Sequence, residues 1–395
     1  MDKKKLIIVL SRFPYPLEKG DKLRAFHQIR YLSLSYEITL ICLTDSLISD
    51  DQKEKLTPFC NKIITYKLNR WIQLYELIKA VFTEKPFQVA YFHQRWIQKK
   101  IAILLTDIKP IHIYSQLIRT TEYVKDYHYC QKTLDYMDAF SKGMERRAEK
   151  TNNPFIKWLV KLEFNRLKKY EKQIFEYFEF HTIISKQDKS FINHPLNNEI
   201  SIISNGVHES FFETVKIEKK YTLLFTGNMS YKPNIEAVKF IHTEIMPLLK
   251  LSDVTCCIAG ANPSNTIKRY ENERLILTGW VEDMKYFYAS SKIFIAPMFI
   301  GTGLQNKLLE AMASGLPCIT TSLANKALGA IPGIEILIAD NPEEFEKHII
   351  NLLNEPSLAK SISENGKSFV EKSFSWEHST LKLINLIDAK NKCLK

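Results

Sequence analysis

The sequence has little that would place it in a membrane or in an oxidising compartment. No apolar run approaches the roughly 20 residues that a membrane-spanning helix needs. The first apolar run, "LIIVL" from Leu6, is too short for the core of a signal peptide. The seven cysteines are odd in number and include no C-x-x-C pair, which favours reduced thiols over a disulfide framework. We therefore expect a cytoplasmic protein.

The sequence also lacks the short motifs of several enzyme classes. It contains no D-x-D pair for a divalent ion and no histidine–cysteine cluster with metal-ligand spacing. No G-x-G-x-x-G run follows the first apolar segment, where a nicotinamide oxidoreductase would carry it. We expect neither a bound metal nor a resident cofactor, and a nicotinamide-dependent oxidoreductase is disfavoured.

What is present predicts two α/β domains. A chain of 395 residues is too long for one ordinary core. Short apolar runs without alternation, such as "YTLLF", "TCCIAG" and "KIFIAPM", are each followed by a helical pattern. This order is typical of a parallel sheet covered on both faces, so we predict two doubly wound, Rossmann-like domains. The Asn-Gly turn in "SNGVH" places the boundary near residue 200, giving domains at 1–200 and 201–375. A last helix, 376–390, is expected to pack back across the joint.

The positive charge is concentrated in one stretch. The net charge is +11, and residues 142–172 hold ten basic and four acidic side chains, interleaved with aromatic residues. One interpretation is a long amphipathic helix with its lysines in water. The other is a surface that contacts an anionic membrane. A nucleic-acid partner is not expected.

The segment "GTGLQNKLLEAMASGLP", from Gly301 to Pro317, raises a charge question. It predicts a helix from Gln305 to Ser314 with Lys307 in the first turn, where the helix dipole is already positive. Lys307 and Glu310 share one side of this helix, and they could form an ordinary surface pair. The alternative is that Lys307 and the free N–H groups bind an anion, most simply a diphosphate, while Glu310 accepts hydrogen bonds from a sugar diol.

Glycines after consecutive strands strengthen the second alternative. "FTGNMSYKPN", "IAGANP", "LTGWVED" and "PMFIGTGLQNK" each follow an apolar run. A single glycine of this kind is most simply a turn. Four in one domain indicate a ligand site, because ligands of open parallel sheets bind at the carboxyl ends of the strands.

In order and spacing, these four segments resemble the donor half of nucleotide-sugar-dependent glycosyltransferases with the GT-B fold. The resemblance is greatest to the large retaining group called family four, or glycosyltransferase group 1. "SNGVH" is similar to that family's "NGVD" turn and "FSWE" to its closing helix. "SRFPYPLEKGDKLRAFHQIRYL" is similar to its first-domain glycine loop and following helix, and "LDYMDAFS" to a D-x-x-D segment of one subgroup.

The resemblance implies that a nucleotide sugar lies in a cleft between the two domains. Lys307 would then hold the diphosphate and Glu310 the ribose. The remaining donor-binding candidates are Gly227, Asn228, Lys232, Gly301, Thr302, Gly303 and Leu304. Two positions depart from the family pattern. Thr302 stands where the family has the first glutamate of an E-x7-E motif, and Asn228 stands where it has an arginine, whose charge Lys232 would supply.

In the first domain the resemblance implies that Gly20 faces the donor phosphates and the acceptor. Arg24, four residues later on the predicted helix, is a further catalytic candidate. Asp135 and Asp138 either line the cleft, with Asp138 catalytic, or cap a helix after a strand. His27, His93 and His112 are candidate bases, although lone histidines are more often surface or core residues.

The expected function is therefore glycosyl transfer from a nucleoside diphosphate sugar to a glycan or lipid-linked acceptor. By resemblance, transfer would retain the anomeric configuration, move a hexose without a metal ion, and serve bacterial cell-surface polysaccharide or glycolipid synthesis at the inner face of the membrane. Two alternatives stay open: a nucleotide-sugar epimerase of the same architecture, and a catalytically inactive nucleotide-sugar binding protein.

Overall fold

The computed structural model describes residues 3–17, 19–151, 153–213, 217–250, 253–300 and 304–391. The chain forms two compact units. The first contains residues up to Asn205 and the chain from Ser379 onward, and the second contains Gly206–His378. Each unit is built on one parallel sheet.

The sheet of the first unit has seven parallel strands in the order β3-β2-β1-β4-β5-β6-β7. Its first strand is buried from Leu6 to Leu10, as expected for a strand covered on both faces. The strands are β1 Lys4–Leu10, β2 Tyr36–Thr44, β3 Lys62–Lys67, β4 His112–Gln116, β5 Gln131–Met137, β6 Phe180–Ile183 and β7 Ser201–Ile202.

Eight α-helices of the first unit connect these strands. They are α1 Gly20–Leu32, α2 Asp50–Glu54, α3 Arg70–Val81, α4 Phe87–Phe92, α5 Arg95–Ile108, α6 Phe140–Lys150, α7 Pro154–Phe175 and α8 Lys186–Phe191. The basic stretch 142–172 is divided between two helices, α6 and α7, and most of it lies in the long helix α7. Asn153 caps α7 by accepting from the N–H groups of Phe155 and Ile156, and Pro154 occupies the first helical position, where its missing N–H costs nothing.

The sheet of the second unit has six parallel strands in the order β10-β9-β8-β11-β12-β13. They are β8 Tyr221–Thr226, β9 Cys256–Ala259, β10 Leu275–Gly279, β11 Ser291–Ala296, β12 Cys318–Thr320 and β13 Leu337–Ile338. The strand order reverses between β8 and β11, which is where an open parallel sheet presents its ligand crevice.

The helices that follow β8 are α9 Lys232–Phe240, α10 Met246–Leu248, α11 Asn265–Lys268, α12 Met284–Ala289, α13 Asn306–Ala313, α14 Ser322–Leu328, α15 Pro342–Asn354, α16 Pro356–Phe374 and α17 Trp376–Asn391. The helical segment after β8 is divided into α9, a π-helical stretch at Ile241–Ile245, and α10. Pro247 lacks the N–H group that would continue regular helical hydrogen bonding.

The last helix belongs mainly to the first unit. Leu383 and Ile387 of α17 are fully buried in the same hydrophobic cluster as Leu6, Ile8 and Leu10 of β1. Both units are therefore doubly wound parallel-sheet domains, which confirms the predicted fold class. Within the described part of the chain, no helix combines the length and the apolar character needed to cross a bilayer.

Candidate functional site

The first turn of α13 holds the amine of Lys307 against groups from three other segments. Its Nζ donates a hydrogen bond to Asn234 Oδ1 of α9 at 2.5 Å. The same atom lies 4.4 Å from the ring centre of Phe225 in β8 and 3.8 Å from Sδ of Met298, which follows β11. A cation over an aromatic face is stabilised by the ring quadrupole. The amine is thus fixed at the carboxyl ends of two adjacent strands.

This amine is partly buried without a matching negative charge. Among the described residues, no carboxylate forms an ion pair with Lys307, and its hydrogen-bond partner, Asn234, is neutral. Burial lowers the pKa of Lys307 to about 7, and the nearby Glu310 only partly opposes the shift. The charged form therefore lacks compensation that a bound anion would supply.

Two glycines make room for this arrangement. Gly227, with φ +153°, leaves space for Asn234, since a Cβ there would lie 2.6 Å from Asn234 Nδ2 and 3.2 Å from Lys307 Nζ. Gly260, with φ +145°, packs directly on the carbonyl oxygen of Gly227, so a Cβ would collide with backbone. The glycines after β8 and β9 are thus required by close packing at the site as well as by the turns.

Glu310 lies one turn further along α13. Its Oε2 accepts a hydrogen bond at 2.9 Å from the hydroxyl of Tyr288, which in turn lies 2.9 Å from Thr226 Oγ1. Burial raises the pKa of Glu310 to about 7, while the Tyr288 hydrogen bond and the Lys307 charge oppose the rise. The carboxylate is therefore held in one orientation and retains acceptor capacity for a ligand hydroxyl.

The N-terminus of α13 adds to the positive potential. Gln305, at the N-cap, places no side-chain cap on the first turn. Helix N-termini attract anions because their first N–H groups have no intrahelical acceptor. At the other end Gly315, with φ +74°, follows the helix as predicted. A helix N-terminus, a partly buried amine and two glycine turns thus lie together at this end of the sheet.

The other predicted donor-binding residues are Asn228, Lys232, Leu304 and the turn 301–303. Gly301, Thr302 and Gly303 fall outside the described residues. Leu304 packs against the core of the second unit. Asn228 turns its Oδ1 towards the N–H and hydroxyl of Ser230, at 3.0 and 2.8 Å, and so stabilises its own turn.

Lys232 is the first residue of α9 and is exposed. None of the contacts found for the described residues joins it to Lys307. The neighbour of Lys307 from this segment is Asn234, two residues later.

In the first unit, Arg24 and Asp135 form a fully buried ion pair. Arg24 Nε donates to Asp135 at 2.7 Å, and its Nη1 donates to the carbonyl of Ile203 at 2.8 Å and to Asn205 Oδ1 at 3.0 Å. Tyr114 also donates to Asp135, at 2.6 Å. Arg24 is 0% exposed. Its hydrogen bonds join α1 to β5 and to residues 203–205 at the end of the first unit. Neither the cleft-lining nor the capping interpretation of Asp135 fits, because its oxygens are consumed inside this network.

Gly20 begins α1, and Asp138 directly follows the carboxyl end of β5. Gly20 is exposed at the start of α1, with open space where a Cβ would stand. Asp138 borders a cavity of about 640 Å³ lined by Arg119, Phe140 and Met144 among others. Asp138 is itself exposed, and desolvation of its carboxyl group by neighbouring protein atoms, followed by the charges of Asp188 and Asp135, raises its pKa to about 6.

The three histidines are structural. His27 is 1% exposed in α1. His93 lies between Lys85 and Gln98, 3.0 Å from each, and its pKa is lowered by burial and then by the Lys85 charge. Burial lowers the pKa of His112 to about 3. In the described ranges, no group of three or more metal-ligating side chains is positioned to hold an ion.

Sequence reasoning missed the groups that surround Lys307 and Glu310. Asn234, Phe225, Met298 and Tyr288 come from four separate segments, and no local motif connects them. One signal was available for Asn234. It follows Pro233 at the start of a helix, in the segment that carries the first of the glycine turns.

Comparisons with known proteins agree with this geometry. Residues 220–355 match the family described as "Glycosyl transferases group 1". An "Uncharacterized 44.6 kDa protein in cps region" of Klebsiella pneumoniae is 24% identical over 94% of this chain and 96% of its own length. The "Capsular polysaccharide biosynthesis glycosyltransferase CapM" of Staphylococcus aureus is 27% identical over 46% of this chain and 54% of that protein.

Solved structures share the fold over nearly the whole chain. A glycosyltransferase from Rickettsia africae has a TM-score of 0.69 at 15% identity, covering 99% of this chain and 100% of that one. Anabaena Alr3699/HepE in complex with UDP has a TM-score of 0.64 at 10% identity, with 98% and 100% covered. A putative UDP-N-acetylglucosamine 2-epimerase from Listeria monocytogenes is less similar, with a TM-score of 0.56 at 11% identity over 99% and 97%. Residues 220–355 of the second unit thus match the glycosyl transferases group 1 family, and the chain as a whole shares the GT-B fold of these solved structures.

Proposed function

We propose that this protein transfers a hexose from a nucleoside diphosphate sugar to a glycan or lipid-linked acceptor, with retention of the anomeric configuration. The observation that carries the proposal is the partly buried amine of Lys307, which lacks a carboxylate partner among the described residues and lies at the N-terminus of α13. The solved complex of HepE with UDP supports a nucleotide-sugar donor, and the names of the relatives support a role in bacterial surface polysaccharide synthesis.

Transfer of the sugar leaves negative charge on the departing diphosphate, and the protein must stabilise that charge. We propose that Lys307 and the first N–H groups of α13 offset that charge, so that no resident metal or other cofactor is needed. Binding would raise the pKa of Lys307 from about 7, because the anion favours the ammonium form. Glu310, oriented by Tyr288, accepts hydrogen bonds from the ribose hydroxyls.

In the first unit, Asp138 is the proposed acceptor-side group. A pKa raised to about 6 suits a carboxylate that accepts a hydrogen bond from an acceptor hydroxyl near neutral pH. The role of Gly20 in substrate binding stays a prediction. Gly20 is exposed, and the open space around it leaves room for a substrate to approach. The role of Arg24 is to position Asp135 and the strand that leads to Asp138, since every guanidinium contact above is to protein.

A donor screen tests the proposal. Purified protein is titrated with uridine, guanosine and adenosine diphosphate sugars, and products formed from cell glycolipids are identified by mass spectrometry. We expect tight binding of one nucleotide class and a glycosylated product whose anomeric configuration, measured by NMR, matches the donor. Turnover that is unchanged by EDTA would support the metal-independent mechanism.

The same experiment separates the alternatives. Conversion of the donor alone into an epimeric sugar nucleotide would identify an epimerase. Donor binding without a product, across all acceptor pools, would identify an inactive binding protein. No binding of any nucleoside diphosphate sugar would contradict the proposal itself.

A further inference from the structure

Helix α3 of the first unit turns a polar face towards the core and a largely apolar face towards solvent. Its buried side chains are Gln73, Glu76 and Ala80. Most of its large apolar side chains are exposed, while Ile72 and Leu77 are partly buried. The exposed set is Trp71, Leu74, Tyr75, Ile78 and Val81, continued by Phe82 just beyond the helix. Trp71 and Phe82 are the extremes, at 80% and 85% exposed. A contiguous apolar face of this kind marks a contact surface.

The orientation of α3 is fixed by hydrogen bonds on its polar side. Gln73 Nε2 donates to Asp45 Oδ1 at 3.1 Å. Asn69 caps the helix through the N–H groups of Trp71 and Ile72, at 2.9 and 3.2 Å. Rotating the helix to bury the apolar face would break these bonds, so its exposure is a property of the folded unit.

The neighbouring helix α7 presents only positive charge to solvent. Both of its acidic residues are buried and used inside the protein. Glu163 accepts from the N–H groups of Phe87 and Gln88, at 2.7 and 3.1 Å, and Glu171 accepts from the N–H and hydroxyl of Ser141, at 3.0 and 2.5 Å. The basic side chains of α7 that remain at least partly exposed are Lys157, Lys161, Arg166, Lys168, Lys169 and Lys172.

The apolar face of α3 and the basic face of α7 adjoin. Arg166 Nη2 donates to the carbonyl of Val81 at 3.0 Å, and Lys169 Nζ pairs with Glu84 at 2.5 Å. The N-terminal end of α7 adds two exposed aromatic rings, Phe155 and Trp158, stacked with their centres 6.2 Å apart. Aromatic and aliphatic groups therefore lie beside a row of cations.

We infer that the exposed apolar face of α3, together with the basic face of α7, docks the first unit onto an anionic lipid bilayer. The charge of α7 selects this occupant, because lysines and arginines beside an apolar face are attracted to anionic headgroups while the apolar groups enter the interfacial region. The inference rests on the proposed function, in which the acceptor is lipid-linked. A lipid-linked acceptor lies at such a membrane surface.

Vesicle co-sedimentation of the full chain tests the inference. Wild-type protein is expected to bind vesicles of equal phosphatidylglycerol and phosphatidylcholine, to bind pure phosphatidylcholine far more weakly, and to lose affinity as salt is raised. Changing Lys161, Lys168 and Lys172 to Gln should weaken binding roughly 100-fold at low salt, since each lysine near an anionic surface contributes roughly fivefold. A Leu74→Ser, Ile78→Ser variant should weaken it by about tenfold or more at every salt concentration.

Matched variants control for composition and folding. Lys268, Lys326 and Lys347, exposed in the second unit, are changed to Gln in a variant with the same net charge as the first. Ile103 and Leu381, which are 61% and 49% exposed, are changed to Ser in a variant with the same loss of apolar surface. Both controls should bind the vesicles within about threefold of wild type, because helix faces outside the docking surface make no lipid contact.

Three outcomes would overturn the inference: equal binding to neutral vesicles, unchanged binding by both test variants, or a dimer in light scattering that the Leu74→Ser, Ile78→Ser change dissociates. The last would assign the α3 face to a second copy of the chain. Calorimetry with UDP on the same proteins keeps the two proposals apart. Absence of vesicle binding by the wild-type protein, with UDP binding intact, refutes only the docking surface. Absence of UDP binding by the wild-type protein, with vesicle binding intact, refutes only the donor site.

Discussion

Changing Lys307 to methionine removes the ammonium of α13 but keeps an unbranched stem against Phe225 and Met298. A hydrogen bond to a charged group contributes roughly 1.5–3 kcal/mol, and we take about 2 kcal/mol for the contact with the diphosphate. This corresponds to a roughly 30-fold weaker Kd. Because the pKa of Lys307 is about 7, about half of the wild-type molecules carry the charge at pH 7. The expected loss at that pH is therefore roughly 15-fold.

Isothermal titration calorimetry with the nucleoside diphosphate selected by the donor screen measures this loss. Lys326→Met, on the exposed face of α14, is the matched control and should leave the Kd unchanged. A Lys307→Met protein that binds within twofold of wild type, with an unchanged unfolding temperature, would refute the reasoning, since the amine would then have no part in binding the anion.

Three other predictions follow from the same contacts. The affinity for the intact donor should have a bell-shaped dependence on pH, with both limbs near pH 7. The diphosphate needs charged Lys307, which loses its proton as the pH rises through about 7. The ribose diol needs ionised Glu310, which becomes protonated as the pH falls through about 7. Gly260→Ala should cost about 3 kcal/mol or more of unfolding free energy, since its Cβ meets backbone at a positive φ. Arg24→Met should cost about 3–5 kcal/mol, because it leaves a buried carboxylate without its cation.

Each of these has its own control. Lys307→Arg carries a charge at every pH tested and should remove the alkaline limb of the calorimetric pH profile. Glu310→Gln cannot ionise and should remove the acidic limb. A flat profile for the wild-type protein would contradict both assignments. Gly329→Ala has a positive φ of +79° but open space around it, so a urea midpoint shift as large as that of Gly260→Ala would refute the packing argument. For Arg24, a stability equal to that of Arg95→Met, an exposed arginine of α5, would show that the ion pair contributes nothing.

The fold could be predicted from the sequence because its strands are uninterrupted apolar runs. A strand buried on both faces of a parallel sheet needs exactly such a run, and "LIIVL" and "YTLLF" became β1 and β8. Helix boundaries were less accurate where a cap or a proline decides them. Asn153 with Pro154 divides the basic stretch into two helices, and Pro247 interrupts the helix that begins at Lys232.

The candidate site was only partly predictable. Helical spacing placed Lys307 and Glu310 on one side of α13, and the structure has both side chains partly buried, with Lys307 close to Gly227. Their partners could not be found the same way, since Asn234 lies 73 residues from Lys307 in the chain. Arg24 and Asp135 are 111 residues apart, and only the folded sheet shows that they neutralise each other.

Helix α3 shows where pattern alone predicts the opposite of the structure. Amphipathicity normally sends the apolar face to the core. Here Gln73 and Glu76 are buried and Trp71, Leu74 and Ile78 are exposed. Specific hydrogen bonds with Asp45 and the capping Asn69 set the orientation, and such contacts between distant segments leave no periodic signal in the sequence.

The most direct test of the central claim is a crystal structure of the protein with UDP bound. The account predicts a phosphate oxygen within about 3 Å of Lys307 Nζ, at the N-terminus of α13, and ribose hydroxyls at Glu310. A nucleotide bound elsewhere, with the amine of Lys307 still held only by Asn234, would contradict it.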